Sequence, residues 1–245
     1  MNPDGINPQV AFDGDAGESY LSLSALSPLQ RPGPLRHQVQ NALVELIINR
    51  VLEPGQHLVE VEIARRLQVS RQPVREALQA LQSDGWVDLR PGRGAFVHEP
   101  ADGEVDEVFA VRAVLESESA RLAACHSTPD AVEKLRQLCE TGRRALADGD
   151  DAAVVTANAG LHRHVTALAG NGMLARIIAA LDRRVRWYFT PIARTRGAAS
   201  WDEHGRLIDA LAAHDGDAAA EVMRNHTERS RRAYREMREA QRQSR

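Results

Sequence analysis

The sequence predicts a mainly α-helical chain in two parts: an N-terminal winged helix-turn-helix of three helices plus a β-hairpin wing over residues 31–100, and an all-α helical bundle over residues 101–240. Three observations carry that prediction. Residues 58–83 hold two short helical patterns on either side of a tight turn at Gln68-Val69-Ser70. Residues 86–97 hold two β-type runs around a tip bearing Gly, Pro and Arg. Beyond Pro100 the apolar residues recur at helical spacing almost throughout.

The elements follow in order. Residues 1–30 contain four acids and no Lys or Arg, and are rich in Asp, Gly, Pro, Ser and Asn. That composition predicts a disordered leader, because it offers too little apolar surface to bury. It has no basic stretch followed by an apolar core, so it does not read as a secretory signal. Val39, Leu43, Leu46 and Ile47 give the first helix its apolar stripe, and Glu53-Pro54-Gly55 turns the chain toward the second. Ser70 is placed to cap a helix starting at Arg71, with Pro73 in the first turn, where a missing N–H costs nothing. Val74, Ala77, Leu78 and Leu81 form one buried stripe and leave Arg71, Gln72 and Arg75 outside at the N-terminal end. In a helix-turn-helix that end meets base edges in the major groove, where an Arg fork pairs with guanine. Two arginines four apart are otherwise an ordinary solvated face; the turn before them and the wing after them decide for DNA. In the wing, Gly92 and Gly94 can take positive φ, which leaves Arg90 and Arg93 free to meet phosphate or the minor groove.

Charge alone does not signal a DNA binder. The net charge is −3, and residues 31–100 hold nine Arg against eight acids, so the arginines must gather on one face to attract phosphate. Cys125 and Cys139 have no zinc-ribbon or redox spacing and are expected to be reduced, small core residues of a cytoplasmic protein. No run of eighteen apolar residues exists, so no membrane span is expected.

Helices are expected near 105–125, 129–147, 151–169, 172–195, 201–214 and 217–240, separated by Asp148-Gly149-Asp150, Gly170-Asn171-Gly172, Gly197 and Asp215-Gly216-Asp217. Most of the nine histidines read as surface or satisfied polar groups. Asn158 and His162, four apart, share a helix face, while His204 and His226 lie on later helices. If they converged, three imidazoles and an amide oxygen would suit a borderline divalent ion, but spacing alone does not bring them together. Arg112 and Glu116 have the spacing of an intrahelical ion pair.

The stretch Leu52-Glu53-Pro54-Gly55, then Val69-Ser70-Arg71-Gln72-Pro73-Val74-Arg75-Glu76-Ala77-Leu78, Gly85-Trp86 and Arg93-Gly94 resembles the DNA-binding region of the GntR family of bacterial transcription regulators. Val111-Arg112-Ala113-Val114-Leu115-Glu116, Asn158-Ala159-Gly160-Leu161-His162 and Glu203-His204 resemble the FCD ligand-binding domain of that family's FadR-type branch. The resemblance implies DNA contacts from Arg71 and Arg75 and from the wing near Arg93 and Gly94. It implies a divalent metal ion, zinc first and nickel or manganese next, held by Asn158, His162, His204 and His226. It also implies a small carboxylate effector steadied by Arg112. Two departures stand out: Asn158 replaces the usual Asp and Leu161 a frequent Phe. Some FadR-type members carry an Arg where this chain has Val61, so that DNA contact is not carried over. The expected protein is a homodimer that reads a palindromic double-stranded operator and represses genes for metabolism of a small organic acid. The alternatives are a metal-free regulator with a long acyl ligand, purely architectural DNA binding, and a metal-dependent hydrolase. The last is disfavoured by the lack of an HExxH pattern or a second-metal carboxylate cluster.

Overall fold

The computed structural model of the protein describes residues 35–243; the leader expected over residues 1–30 lies outside them. The head opens with α1 (Leu35–Ile48), followed by β1 (His57–Leu58), α2 (Glu60–Leu67), α3 (Arg71–Ser83), β2 (Val87–Arg90) and β3 (Gly94–Val97). The bundle continues with α4 (Asp102–His126), α5 (Pro129–Ala147), α6 (Asp151–Leu168), α7 (Gly172–Phe189), a 3-10 turn (Thr190–Ile192), α8 (Ala193–Ala212) and α9 (Gly216–Gln243).

The head folds around a dry aliphatic core. Val74, Ala77, Leu78 and Leu81 of α3 are buried, as the sequence pattern requires, against Val39, Leu43, Ile47 and Ile48 of α1. Leu46 departs from expectation and is exposed. The buried stripe of α1 runs through Val39, Leu43, Val44, Ile47 and Ile48, and Leu46 falls on its far side. The wing is a three-stranded antiparallel sheet of order β1-β3-β2 rather than the two strands expected. The additional strand is only two residues, with His57 opposite Phe96 and Leu58 opposite Ala95; a run that short leaves no alternation to detect. Gly92 and Gly94 do take positive φ, at 69° and 93°. Ser70 sits at the N-cap of α3 in extended conformation, but its side chain makes no capping bond, contrary to expectation.

The bundle's separators act as caps. Asp150 accepts from the Ala153 N–H at 2.9 Å, Asn171 from Leu174 at 3.1 Å and Asp215 from Ala218 at 2.9 Å, so the chain breakers also start the next helices. The helix expected over 172–195 ends earlier, at Phe189, because Pro191 cannot continue it. Gly197 breaks the helical path as expected: its φ of 40° and ψ of −136° are non-helical and divide α8 into two helical segments across a kink. Cys139 is buried, whereas Cys125 is exposed and not a core residue, since its position on α4 faces away from the Ala120, Ala123, Ala124 stripe.

Head and bundle meet at α7. The Trp86 and Trp187 rings lie 5.1 Å apart, with the Arg184 guanidinium 4.4 Å from the Trp86 ring and 5.4 Å from that of Trp187. His98 bridges Asp88 of β2 and Glu104 of α4 at 2.9 Å each. No helix among the described residues is long and apolar enough to cross a membrane.

Candidate functional site

Two sites emerge, one on each part of the chain. On the head, Arg71, Gln72 and Arg75 stand exposed at the start of α3, as the sequence predicts. Arg75 and Arg71 both reach Glu60 of α2, at 3.1 and 3.6 Å. Hydrogen bonding to Arg75, working against slight burial, holds the Glu60 carboxyl below its ordinary range. Gln72 donates to Glu76. Across a cleft of about 620 Å³ lies the wing, where the Arg90 guanidinium packs 4.2 Å over the Phe96 ring and His57 stacks on the same ring at 4.8 Å. Arg93 and Gly94 are exposed at the tip. This is a cationic cleft between a helix end and a hairpin, the shape that straddles a DNA groove and its phosphates. Sequence reasoning missed Glu60 and His57. Each lies outside the recognition pattern and joins the cleft only through folding.

The second site lies inside the bundle. His162 of α6, His204 of α8 and His226 of α9 are buried, and one ligand atom from each lies within 4.8 Å of the other two. Asn158, one turn before His162, is also buried, and its Oδ1 has no hydrogen-bond partner among the described residues. Convergence therefore holds for three imidazoles, with the amide oxygen left unpartnered beside them on the same helix face.

Two carboxylates orient the rings. His226 Nδ1 lies 2.8 Å from Glu203 Oε2 and His162 Nδ1 lies 3.0 Å from Glu116 Oε2. A carboxylate only accepts, so each imidazole donates from Nδ1 and keeps its lone pair on Nε2. Both Nε2 atoms look inward: His226 Nε2 has no partner among the described residues, and His162 Nε2 lies 3.1 Å from an Arg112 Nη and 3.3 Å from His204 Nε2. Burial drives the charge off His226, whose pKa falls to about 4 against the opposing pull of Glu203. Burial likewise takes His204 well below its ordinary value, reinforced by the neighbouring cations. Neutral imidazoles are the form that binds a metal. Burial works against ionising Glu116 and Glu203, yet Arg112 and His162 beside Glu116, and the hydrogen bond from His226 with Arg196 beside Glu203, prevail and hold each carboxyl at about 2. Glu203 is paired by Arg196, by Arg229 at 3.0 Å and by His226.

Close packing supports this arrangement. A Cβ on Gly142 of α5 would fall 1.9 Å from the Trp201 ring, so only glycine admits that indole, which packs edge-on against His204 at 5.0 Å.

Arg112 forms the expected ion pair with Glu116: its Nε donates to that carboxylate at 2.9 Å, one Nη donates to His162 Nε2 at 3.1 Å, and Nη1 is buried without a partner among the described residues. It lines a pocket between α6 and α7 together with Asn158 and His162. The donor set suits a divalent ion: three converging imidazoles, two of them oriented by carboxylates, and an amide oxygen with no partner among the described residues. Glu116 and Glu203, absent from the expected site, were visible only as letters of the motifs around Arg112 and His204. Arg196 and Arg229 carried no signal, because their partner is supplied by folding.

Comparison with known proteins agrees with this architecture. Residues 35–97 match the family described as bacterial regulatory proteins, gntR family, and residues 107–229 match the FCD domain. The HTH-type transcriptional repressor RspR of Escherichia coli (strain K12) is 27% identical over 218 residues, covering 87% of this chain and 93% of its own. A protein of Paenarthrobacter nicotinovorans named "Probable D-xylose utilization operon transcriptional repressor" is 31% identical over 193 residues, covering 77% of this chain and 84% of its own. Among solved structures, E. coli McbR/YncC superposes with a TM-score of 0.71 at 23% identity, covering 83% of this chain and 98% of that one, a likeness of fold.

Proposed function

The chain belongs to the GntR family of bacterial regulators with an FCD domain, and from that premise we propose that it is a homodimeric repressor released by a small carboxylate bound at a metal centre in its bundle. The family and the named relatives are DNA-binding transcription regulators and not enzymes. That sets aside a hydrolase built on the same histidines.

The head, residues 31–100, reads DNA through Arg71, Gln72 and Arg75 in the major groove, with Arg90, Arg93 and Gly94 on the backbone or minor groove. One head cannot read a whole operator, and two heads on a two-fold axis match a palindrome. Val111 and Val114 of α4 are 48% and 69% exposed and offer apolar surface for the dimer. Such a regulator works in the cytoplasm, where its operator is. The names of the relatives favour repression, and one of them names a D-xylose utilization operon as its target.

The bundle, residues 101–240, receives the effector. The observation that carries this reading is the convergence of three imidazoles within 4.8 Å beside Arg112, whose buried Nη1 has no partner among the described residues. His162, His204 and His226 would hold the ion, zinc before nickel or manganese, with Asn158 as a weaker neutral ligand. When bound, the ion supplies a Lewis-acidic attachment for a carboxylate. Arg112 supplies a directed charge-assisted hydrogen bond to the same group. A long acyl chain needs far more room than the pocket's free volume of about 20 Å³.

Elemental analysis of purified protein tests the centre. One divalent ion per chain is expected in the wild type, little in a His162→Ala, His204→Ala, His226→Ala triple variant, and tighter retention in Asn158→Asp. A wild type that stays empty after zinc, nickel and manganese supplementation would overturn the metal reading and leave the carboxylate to the arginines.

A further inference from the structure

Helix α7 serves the ligand pocket and the DNA-binding head with neighbouring side chains. Val185, Arg186 and Phe189 line the pocket on one side, together with Asn158 and His162 of α6 and Arg112 of α4. The same helix holds the head by three arginines. Arg183 donates to Asn41 of α1 at 2.9 Å, and Arg184 donates to the Asp84 carbonyl at the end of α3. Arg186 grips the Glu45 carboxylate of α1 with both Nη atoms, at 2.8 and 3.2 Å. Of these three arginines, Arg186 alone lines the pocket.

Charge and space make that double placement consequential. Three arginines line the pocket, Arg112, Arg163 and Arg186, against two carboxylates, Glu116 and Asp182. Arg112 is matched by Glu116 and Arg163 by Asp182, at 2.9 and 3.6 Å. The partner of Arg186 lies outside the pocket, and its side chain is 44% exposed. That leaves Arg186 the one arginine of the pocket lining whose carboxylate partner is not itself in the lining. The free volume of the pocket is about 20 Å³, room for about one water molecule. An acid of three or more carbons must therefore shift a wall as it enters, and Arg186 belongs to the α7 wall, tied across to a half-exposed carboxylate of the head.

We propose that the effector carries two acidic groups, one directed to Arg112 and the second to Arg186, and that Arg186 gives up Glu45 to take it. This rests on the small-carboxylate reading above and specifies its ligand class. It also supplies a route to the head, since losing the Arg186–Glu45 pair leaves α1 tied to α7 through Arg183–Asn41 among these arginine contacts, and the loosened junction shifts the population of head orientations. Arg186 is then a specificity-determining residue, and Glu45 its internal competitor.

Calorimetric titration of zinc-supplemented, full-length protein tests this. The probes are malonate, succinate and glutarate, each against the monocarboxylate of equal length: propionate, butyrate and valerate. At least one diacid is expected to bind about tenfold or more tightly than its partner, the effect of one added charge-assisted contact. Arg186→Gln should bring that diacid down to the affinity of its monocarboxylate. Glu45→Gln, outside the pocket, should tighten the diacid several-fold and leave the monocarboxylate unchanged; a merely structural role for the pair would move both alike. Equal binding of the two classes by wild type, or a diacid preference that survives Arg186→Gln, or an unchanged diacid affinity in Glu45→Gln, overturns the proposal while the carboxylate reading stands. Binding of neither class by wild type overturns both.

Discussion

The two halves of this chain bury different chemistry. The head's interior is mainly aliphatic: Ile47, Val74 and Leu81 are buried in its core, and Arg71, Arg75 and Arg90 stand outside on the cleft. The bundle places Arg112, Glu116, Asn158, His162, Glu203, His204 and His226 in its interior, each 5% exposed or less. Burying charge costs several kcal/mol per ion unless partners compensate. The head avoids that cost because its ligand is an outer surface, the DNA backbone and base edges. The bundle accepts it because, in the function proposed above, a small polar effector must be surrounded. The comparison teaches that the functional residues of the head are removable without harm to the fold, whereas those of the bundle are part of its core.

The largest effect follows from that last clause. Glu203→Ala leaves Arg196 buried without its partner and removes the acceptor that orients His226. The expected loss is about 3–5 kcal/mol, as for breaking one side of a buried pair, measured by urea unfolding. A loss under about 0.5 kcal/mol, the range of an ordinary surface change, would show that the buried network is not structural and break the comparison.

Next come the head's arginines. Arg71→Ala or Arg75→Ala should weaken specific binding to the operator by about 1–3 kcal/mol, one bidentate base contact. Unfolding stability should stay within about 0.5 kcal/mol of wild type. Competition with nonspecific DNA at fixed salt separates the two effects. Wild-type specificity in both variants would move recognition off α3.

The smallest effect lies at the junction. Burial opposes the charge on His98, but hydrogen bonds to Glu104 and Asp88 outweigh it and raise its pKa above 6.5. Burial also opposes ionisation of Glu104, but Tyr188 and His98 outweigh it and bring that pKa below 4.5. The stability from His98 is therefore full below 6.5 and lost as pH rises through the raised value; that from Glu104 is full above 4.5 and lost as pH falls through the lowered one. The junction should be firmest between these limits. His98→Gln should flatten the decline in Tm that wild type shows from about pH 6 to 8. An unchanged slope would remove His98 from the coupling of head to bundle.

The fold was legible wherever periodicity ran long. The stripe of α3 and the six helices of the bundle were readable because each spans several turns, and their breaks carry Gly, Asp or Asn that cap the next helix. Two-residue β1 and the outward turn of Leu46 were not readable, since neither leaves a repeating signal. At the candidate site, Asn158 and His162 could be joined by their spacing, and His204 and His226 only by resemblance.

By itself, the sequence determined the residue types and the local geometry: which faces are apolar, where helices start, and which arginines are left outside, because those depend on neighbours within about one turn. Only the tertiary structure decided which distant groups meet. Glu203 on α8 finds His226 on α9, Glu116 on α4 finds His162 on α6, and Arg186 on α7 finds Glu45 on α1. Those encounters are set by how the helices pack, and a buried charge can persist only where packing delivers its partner.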